Sequence, residues 1–278
     1  MATSRLIVEQ HCACVTTHVV ALPGNALKAL VLFAALFPLT SLADPEGDVR
    51  DAVGVLARGS YAWETTVRQR FNGETTEPRL NPNAPVEVRG TSDPNGYSEI
   101  TLLPSRELAA PVTAVSRLGD VVGHTPLGWL RRTEMRQAPG PNSDVDFGGK
   151  QVRLSRVISV ALRVMERQPP SEELLNLIAD LKSYRSLEGL VIAELRDRAV
   201  ETLWGEPQAK RAPEIQGTVI FKITDQGLTE YHLVIAIGFP NSRTKKIAWS
   251  MKQWSTRITG IGSTKVEPPA EAVKALEN

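Results

Sequence analysis

Cysteine is nearly absent: the 278 residues hold two, Cys12 and Cys14, both close to the N-terminus. No disulfide framework can therefore hold the body of the chain together, and stability must come from a buried core. Charge of one sign is lacking too. The formal net charge is +1, so no field draws the chain toward nucleic acid, and no nucleic-acid partner is expected. No apolar run reaches the roughly 20 residues that span a bilayer. Beyond residue 43 there are only two histidines, His124 and His232. G-x-S-x-G, H-E-x-x-H, the P-loop and G-x-G-x-x-G are all missing. The histidines give no triad motif and no metal-ligand spacing, so the reading is of a protein that is not an enzyme, with no cofactor, no metal and no catalytic residues.

Composition is otherwise that of a globular chain, 42% hydrophobic and 23% charged. Residues 26–44, "ALKALVLFAALFPLTSLAD", join a lysine, Lys28, to an apolar core from Ala29 to Phe37. Ser41-Leu42-Ala43 follows and fits the small-x-small rule of signal-peptide cleavage. Residues 26–43 are expected to be a signal peptide cut near Ala43, giving a periplasmic or otherwise exported protein. No cysteine follows the core, so lipoprotein acylation is not expected. Residues 1–25 are read as an over-extended start, with translation beginning near Val20 or Leu22; the crowded "HCACVTTH" has no standard ligand spacing. Of 32 basic and 31 acidic residues, removal of Arg5, Lys28 and Glu9 leaves 30 of each in the mature chain.

Residues 44–278 are expected to form one domain. "DVRDAVGVLAR" (48–58) places Val49, Val53 and Leu56 on one helix side, with Gly59 as the stop. "YAWETTVRQRF" (61–71) alternates as a half-buried strand. Asp93-Pro94-Asn95-Gly96 predicts a hairpin turn, and Leu118-Gly119-Asp120 a second one, between "VTAVSR" and "VVGHTPLGWL". Residues 72–85 and 137–149 read as loops. A helical insert is placed around 150–205. It opens with an apolar stripe, Leu154, Val157, Ile158, Ala161, Leu162 and Met165. Ser171 is read as the N-cap of the next helix. "SYRSLEGLVIAEL" (183–195) then reads as one strand and "RDRAVETLW" as a short helix.

"GTVIFKITDQGLTEYHLVIAIGF" (217–239) reads as two long strands turning at Asp225-Gln226-Gly227. In the strand after it, Ile247, Trp249 and Met251 alternate, and then the phase slips to Trp254; a bulge near Lys252 would account for this. Pro268 and Pro269 open a last helical turn or two. Strands come in runs and do not alternate with helices. The pattern predicts an α+β fold with a mainly antiparallel sheet.

Lys150, Arg153, Arg156, Arg163 and Arg167 make the first helix of the insert basic. The plain reading is its solvated back; the functional one is an anionic partner, such as phospholipid head groups or the acidic patch of another protein. Trp63, Phe71, Phe221, Tyr231, Trp249 and Trp254 lie on strands, either as core or as the lining of a cavity.

Gly217-Thr218-Val219 with Phe221, then Asp225 to Tyr231 (with Gln226 added before Gly227), then Gly262 to Leu276, resemble a pattern of the exported lipoprotein-carrier (LolA-like) superfamily, in an uncharacterised bacterial branch. "SYAWETTV" and "HTPLGW" resemble that group's first strand and its T-P-x-G-W turn. The third long strand, "TKKIAWSMKQWSTR", departs from the acidic and Thr-rich residues usual there. The resemblance implies a curved antiparallel sheet, an open half-barrel, with helices covering its concave face. It implies an exported, non-enzymatic carrier or binding protein for a lipid or lipoprotein acyl chain in the cell envelope. The alternative is an envelope interaction or sensor module whose core is filled by its own side chains. The partners expected are a lipid or acylated protein, or an envelope protein, bound by a monomer. Period 2 in the strands and 3.6 in the helix predict an apolar cavity lined by Trp63, Val219, Phe221, Leu233, Ile235 and Trp249, with Leu154, Ile158 and Leu162 closing over it.

Overall fold

The first helix starts earlier than its apolar spacing predicts. The Asp44 carboxylate accepts a hydrogen bond from the Gly47 amide at 3.0 Å, and Pro45, which has no N–H to lose, occupies the first turn. Helix α1 therefore spans Pro45–Arg58 and buries Val49, Ala52, Val53 and Leu56. The computed structural model describes residues 44–71, 87–94, 96–104, 108–138, 140, 142–205, 212–240 and 247–277. The expected signal peptide and start lie outside the described residues.

After α1 come β1 (Tyr61–Phe71), β2 (Glu87–Ser92), β3 (Tyr97–Leu102), β4 (Val112–Arg117), β5 (Asp120–Thr125) and β6 (Gly128–Arg131). A short helix α2 (Arg132–Arg136) leads to a small hairpin, β7 (Asp144–Asp146) and β8 (Gln151–Arg153). Next are α3 (Leu154–Met165), α4 (Pro170–Ile178), β9 (Leu181–Leu187), β10 (Leu190–Leu195) and α5 (Asp197–Trp204). The long strands β11 (Glu214–Thr224), β12 (Gly227–Pro240) and β13 (Ile247–Thr259) follow, and α6 (Ala270–Glu277) closes the chain.

Eleven strands make one sheet in the order β6-β5-β4-β3-β2-β1-β13-β12-β11-β10-β9, with every pairing antiparallel. The fold is α+β: a curved sheet, open because its edge strands β6 and β9 do not meet, with helices on its concave face. Residues facing each other across an antiparallel ladder share a face. The concave face thus carries Trp63, Ile258, Tyr231, Leu233, Ile235, Val219 and Phe221. Helix α1 lies over β11 and β12, α5 over the same two strands, and α3 over β3–β5. Helix α6 sits on the opposite, convex face. It packs Ala272 and Leu276 on Val115 and Val122, and Arg131 donates to the Ala275 and Leu276 carbonyls at 3.2 and 2.7 Å. That closes a helix C-terminus with a cation, where the dipole favours one.

Several sequence expectations need correction. Residues 183–195 are not one strand. Glu188 and Gly189, at φ +50° and +78°, turn the chain back and make β9 and β10 a hairpin at the sheet edge. The turn expected in "HTPLGW" is present, where 121–130 folds back on itself as β5 and β6. Part of the loop at 137–149 pairs with residues 151–153 as β7–β8. Ser171 is not a cap: α4 begins at Pro170, and the Ser171 hydroxyl accepts from the Tyr61 phenol at 2.8 Å. No bulge interrupts β13, whose register runs unbroken against both neighbours. Lys252 produced the apparent slip. It faces the concave side opposite Ile235, and its ammonium donates to the Trp204 carbonyl at 3.1 Å while lying 4.4 Å from the Trp204 ring centroid.

Candidate functional site

Five of the nine residues predicted to line a cavity share the concave face, as the alternation requires: Trp63, Val219, Phe221, Leu233 and Ile235. Each is 5% exposed or less. They press on the protein's own helices. Trp249 is a correction. It pairs with Gly238, one residue out of phase with Ile237, and so stands on the convex face. Leu154, Ile158 and Leu162 are a second correction. They cover the concave face, but α3 lies over β3–β5 and leaves the β11–β12 hairpin to α1 and α5. None of the nine borders the cavity described below.

That cavity lies over the other half of the sheet and holds about 720 Å³. Its origin is a row of small residues. Tyr61 pairs with Ser92, Ser92 with Ser98, Ser98 with Ser116, and Ser116 with Val121. Three serines in neighbouring strands thus line the concave face where the helices above cannot reach down. Ser92 and Ser98 satisfy each other at 2.8 Å. Leu56, Ile100, Ala114 and Met165 supply apolar walls. Charged residues border it as well: Arg132 and Arg167 against Asp93, Glu166 and Glu172. Arg132 and Glu166 approach to 3.5 Å, whereas the Arg117 guanidinium, at the same end of β4, turns to the convex face and lies over the Tyr97 ring at 5.0 Å.

Beside the cavity a polar seam fastens α4 to the sheet. The Tyr61 hydroxyl accepts from the Ser171 amide at 3.0 Å. The Tyr231 hydroxyl donates to the Glu173 carboxylate at 2.8 Å, and the Thr65 and Thr256 hydroxyls meet at 2.8 Å. Burial holds the Glu173 carboxyl above the usual carboxylate range, against the opposing pull of the Tyr231 hydrogen bond and the Arg167 charge. Burial also lowers the Arg167 guanidinium and raises the Tyr61 phenol. Sequence reading missed the seam, because its partners lie up to 191 residues apart.

The convex face assembles a constellation that sequence spacing did not reveal. His232 Nδ1 lies 2.9 Å from Ser255 Oγ, and Nε2 lies 3.1 Å from Glu230 Oε1. A serine, an imidazole and a carboxylate in contact are the parts of a nucleophilic triad. Here they form rungs of a ladder. Lys222, Glu230, Arg257, Glu64 and Arg89 cross five strands side by side with alternating sign. The His232 hydrogen bond, more than the two cations beside it, holds the Glu230 carboxyl below its usual range. The backbone N–H groups of β12 and β13 in this stretch are engaged in the ladders between the two strands and to their outer neighbours β11 and β1. The arrangement is a row of cross-strand polar and charged pairs on the outer face.

Among the described residues no group of three or more His, Cys, Asp or Glu is placed to hold a metal ion, and no helix is long and apolar enough to cross a membrane. No family model matches the chain, and a search of curated proteins found no match to it.

Proposed function

We propose that this chain is an exported, non-enzymatic carrier or binding protein for an amphiphile: a lipid or the acyl chain of a lipoprotein in the cell envelope. The cavity of about 720 Å³ over β1–β5 carries this reading, being of the size that small-ligand sites occupy, roughly 300–1,000 Å³. Its apolar walls suit a hydrocarbon chain, each buried methylene contributing about 0.8 kcal/mol. The serine floor and charged border suit a polar head. The curved, open sheet supports the resemblance to the lipoprotein-carrier superfamily, with the ligand seated beside the long hairpin and not beneath it. Native mass spectrometry of the protein purified from an expressing cell envelope should find co-purified lipid. Ser98→Phe, which fills the floor, should abolish binding of a fluorescent fatty acid, while Ser98→Ala should retain it. Equal binding by both folded variants would end the carrier reading. The self-filled hairpin half favours the second reading, an envelope interaction or sensor module, and that reading stands if no lipid is found. Export itself predicts an N-terminal sequence beginning DPEGD on the protein recovered from envelope fractions.

A further inference from the structure

A second concavity, of about 440 Å³, lies between the β7–β8 hairpin and α3. Arg153, Arg156 and Arg163 line it, with the Ser155 and Ser159 hydroxyls and one carboxylate, Asp144. Arg156, Ser159 and Arg163 follow each other at spacings of three and four, so they form one stripe along α3. No acidic residue occurs anywhere in α3, "LSRVISVALRVM". The stripe extends about 10 Å, at 1.5 Å per residue. The apolar face of α3 is fully spent on the core, so these arginines are not needed to hold the helix down.

From this geometry we infer a binding site for a phosphate group. Guanidinium groups present paired N–H donors that match phosphate oxygens two at a time, and serine hydroxyls add single donors. Three cations against one carboxylate give the concavity a local excess of positive charge, in a chain whose formal net charge is +1. The site is separate from the serine-floored cavity and does not depend on what that cavity holds. The phosphate could belong to a lipid headgroup or to a small soluble phosphoester, and the test distinguishes them.

Titration of the full chain with inorganic phosphate and glycerol 3-phosphate, followed by calorimetry, is the soluble arm. Co-sedimentation with phosphatidylglycerol vesicles, and with phosphatidylcholine vesicles as the reference, is the membrane arm. Saturable binding in the soluble arm assigns the site to free phosphoesters. Binding to phosphatidylglycerol vesicles alone assigns it to headgroups. In either case Arg156→Gln and Arg163→Gln should each weaken binding by about tenfold or more. Arg198→Gln, an exposed arginine on α5, should leave it unchanged, and circular dichroism should show all three variants folded. An Arg198→Gln loss equal to the others would reduce the effect to net charge and overturn the site. Absence of binding in both arms would overturn it as well.

Discussion

The two halves of the concave face solve the same geometric problem in opposite ways. Over β11–β13 the inward row is large: Phe221 beside Tyr231, Val219 beside Leu233, each 1% exposed or less. Helices α1 and α5 pack on it, and Val200 of α5 with Leu195 of β10 closes over Gly217 so tightly that a side chain there would collide with them. Over β1–β5 the inward row is Tyr61, Ser92, Ser98, Ser116 and Val121, and a cavity opens above it. Small inward residues alone do not open it, since Gly90 and Gly123 on the next inward row are covered by Trp63 and by Met135 and Met165. The cavity lies where the inward row is serine and no large side chain reaches across it.

The largest test of this contrast is Phe221→Ala. It empties a fully buried site and should cost about 3–5 kcal/mol in urea denaturation. Binding of a fluorescent fatty acid should be unchanged, because Phe221 does not border the cavity. A loss of binding in the folded variant would mean the halves are not independent. Next is Gly90→Ala. Gly90 lies beneath the Trp63 indole, and a methyl group there collides with the ring. Overpacking of this kind should cost about 1–3 kcal/mol and shift the tryptophan fluorescence; an unchanged spectrum would show that the ring is not held flat on β2.

The polar seam should produce a smaller effect with a definite pH signature. Burial raises the folded-state pKa of Glu173, so the folded protein holds its proton to higher pH than the unfolded chain does. Stability should decline as pH rises from about 4.5, the ordinary value, through the raised folded value. Glu230 has the opposite sign. Its folded pKa is depressed, so its contribution is present above about 4.5 and is lost as pH falls through the folded value. Urea midpoints across this range should therefore lose their decline in Glu173→Gln and their acid-side fall in Glu230→Gln. If the two variants showed the same pH profile, the assignment of one carboxylate to each face would be wrong. The smallest expected effect lies outside both halves. Arg131→Ala removes the cation that closes α6 and should cost about 0.5–1 kcal/mol by thermal melting, without changing fatty-acid binding.

Much of the sheet was legible in the sequence because period 2 survives wherever one face is buried. Tyr61, Trp63, Thr65 and Val67 announced β1, and the hairpin at 217–239 announced β11 and β12. The failures have particular causes. Lys252 faces inward and broke the apparent phase of β13, so that Trp249 was assigned to the wrong face. Glu188 and Gly189 marked a turn inside what read as a single strand. The cavity was hidden because its floor is serine: Ser92, Ser98 and Ser116 look like ordinary polar residues until the register sets them side by side. Small residues at the inward phase of consecutive hairpins were the available signal. The seam from Thr65 through Thr256 and Tyr231 to Glu173 left no local trace, since only the folded sheet brings its members together.

The order of strands has a consequence in time. β1 and β13 are neighbours at the centre of the sheet, although Thr65 and Thr256 stand 191 residues apart. On either side of this junction the sheet is built of antiparallel pairs between successive strands, β2–β6 on one flank and β9–β12 on the other. Each flank can form as soon as its own residues emerge, but the junction must wait for the end of the chain. Pairings across such distances form slowly, because loop closure is unfavourable before any contact offsets it. A chain with this topology cannot complete its sheet until its last long strand arrives, so the two flanks exist as separate halves before they are joined.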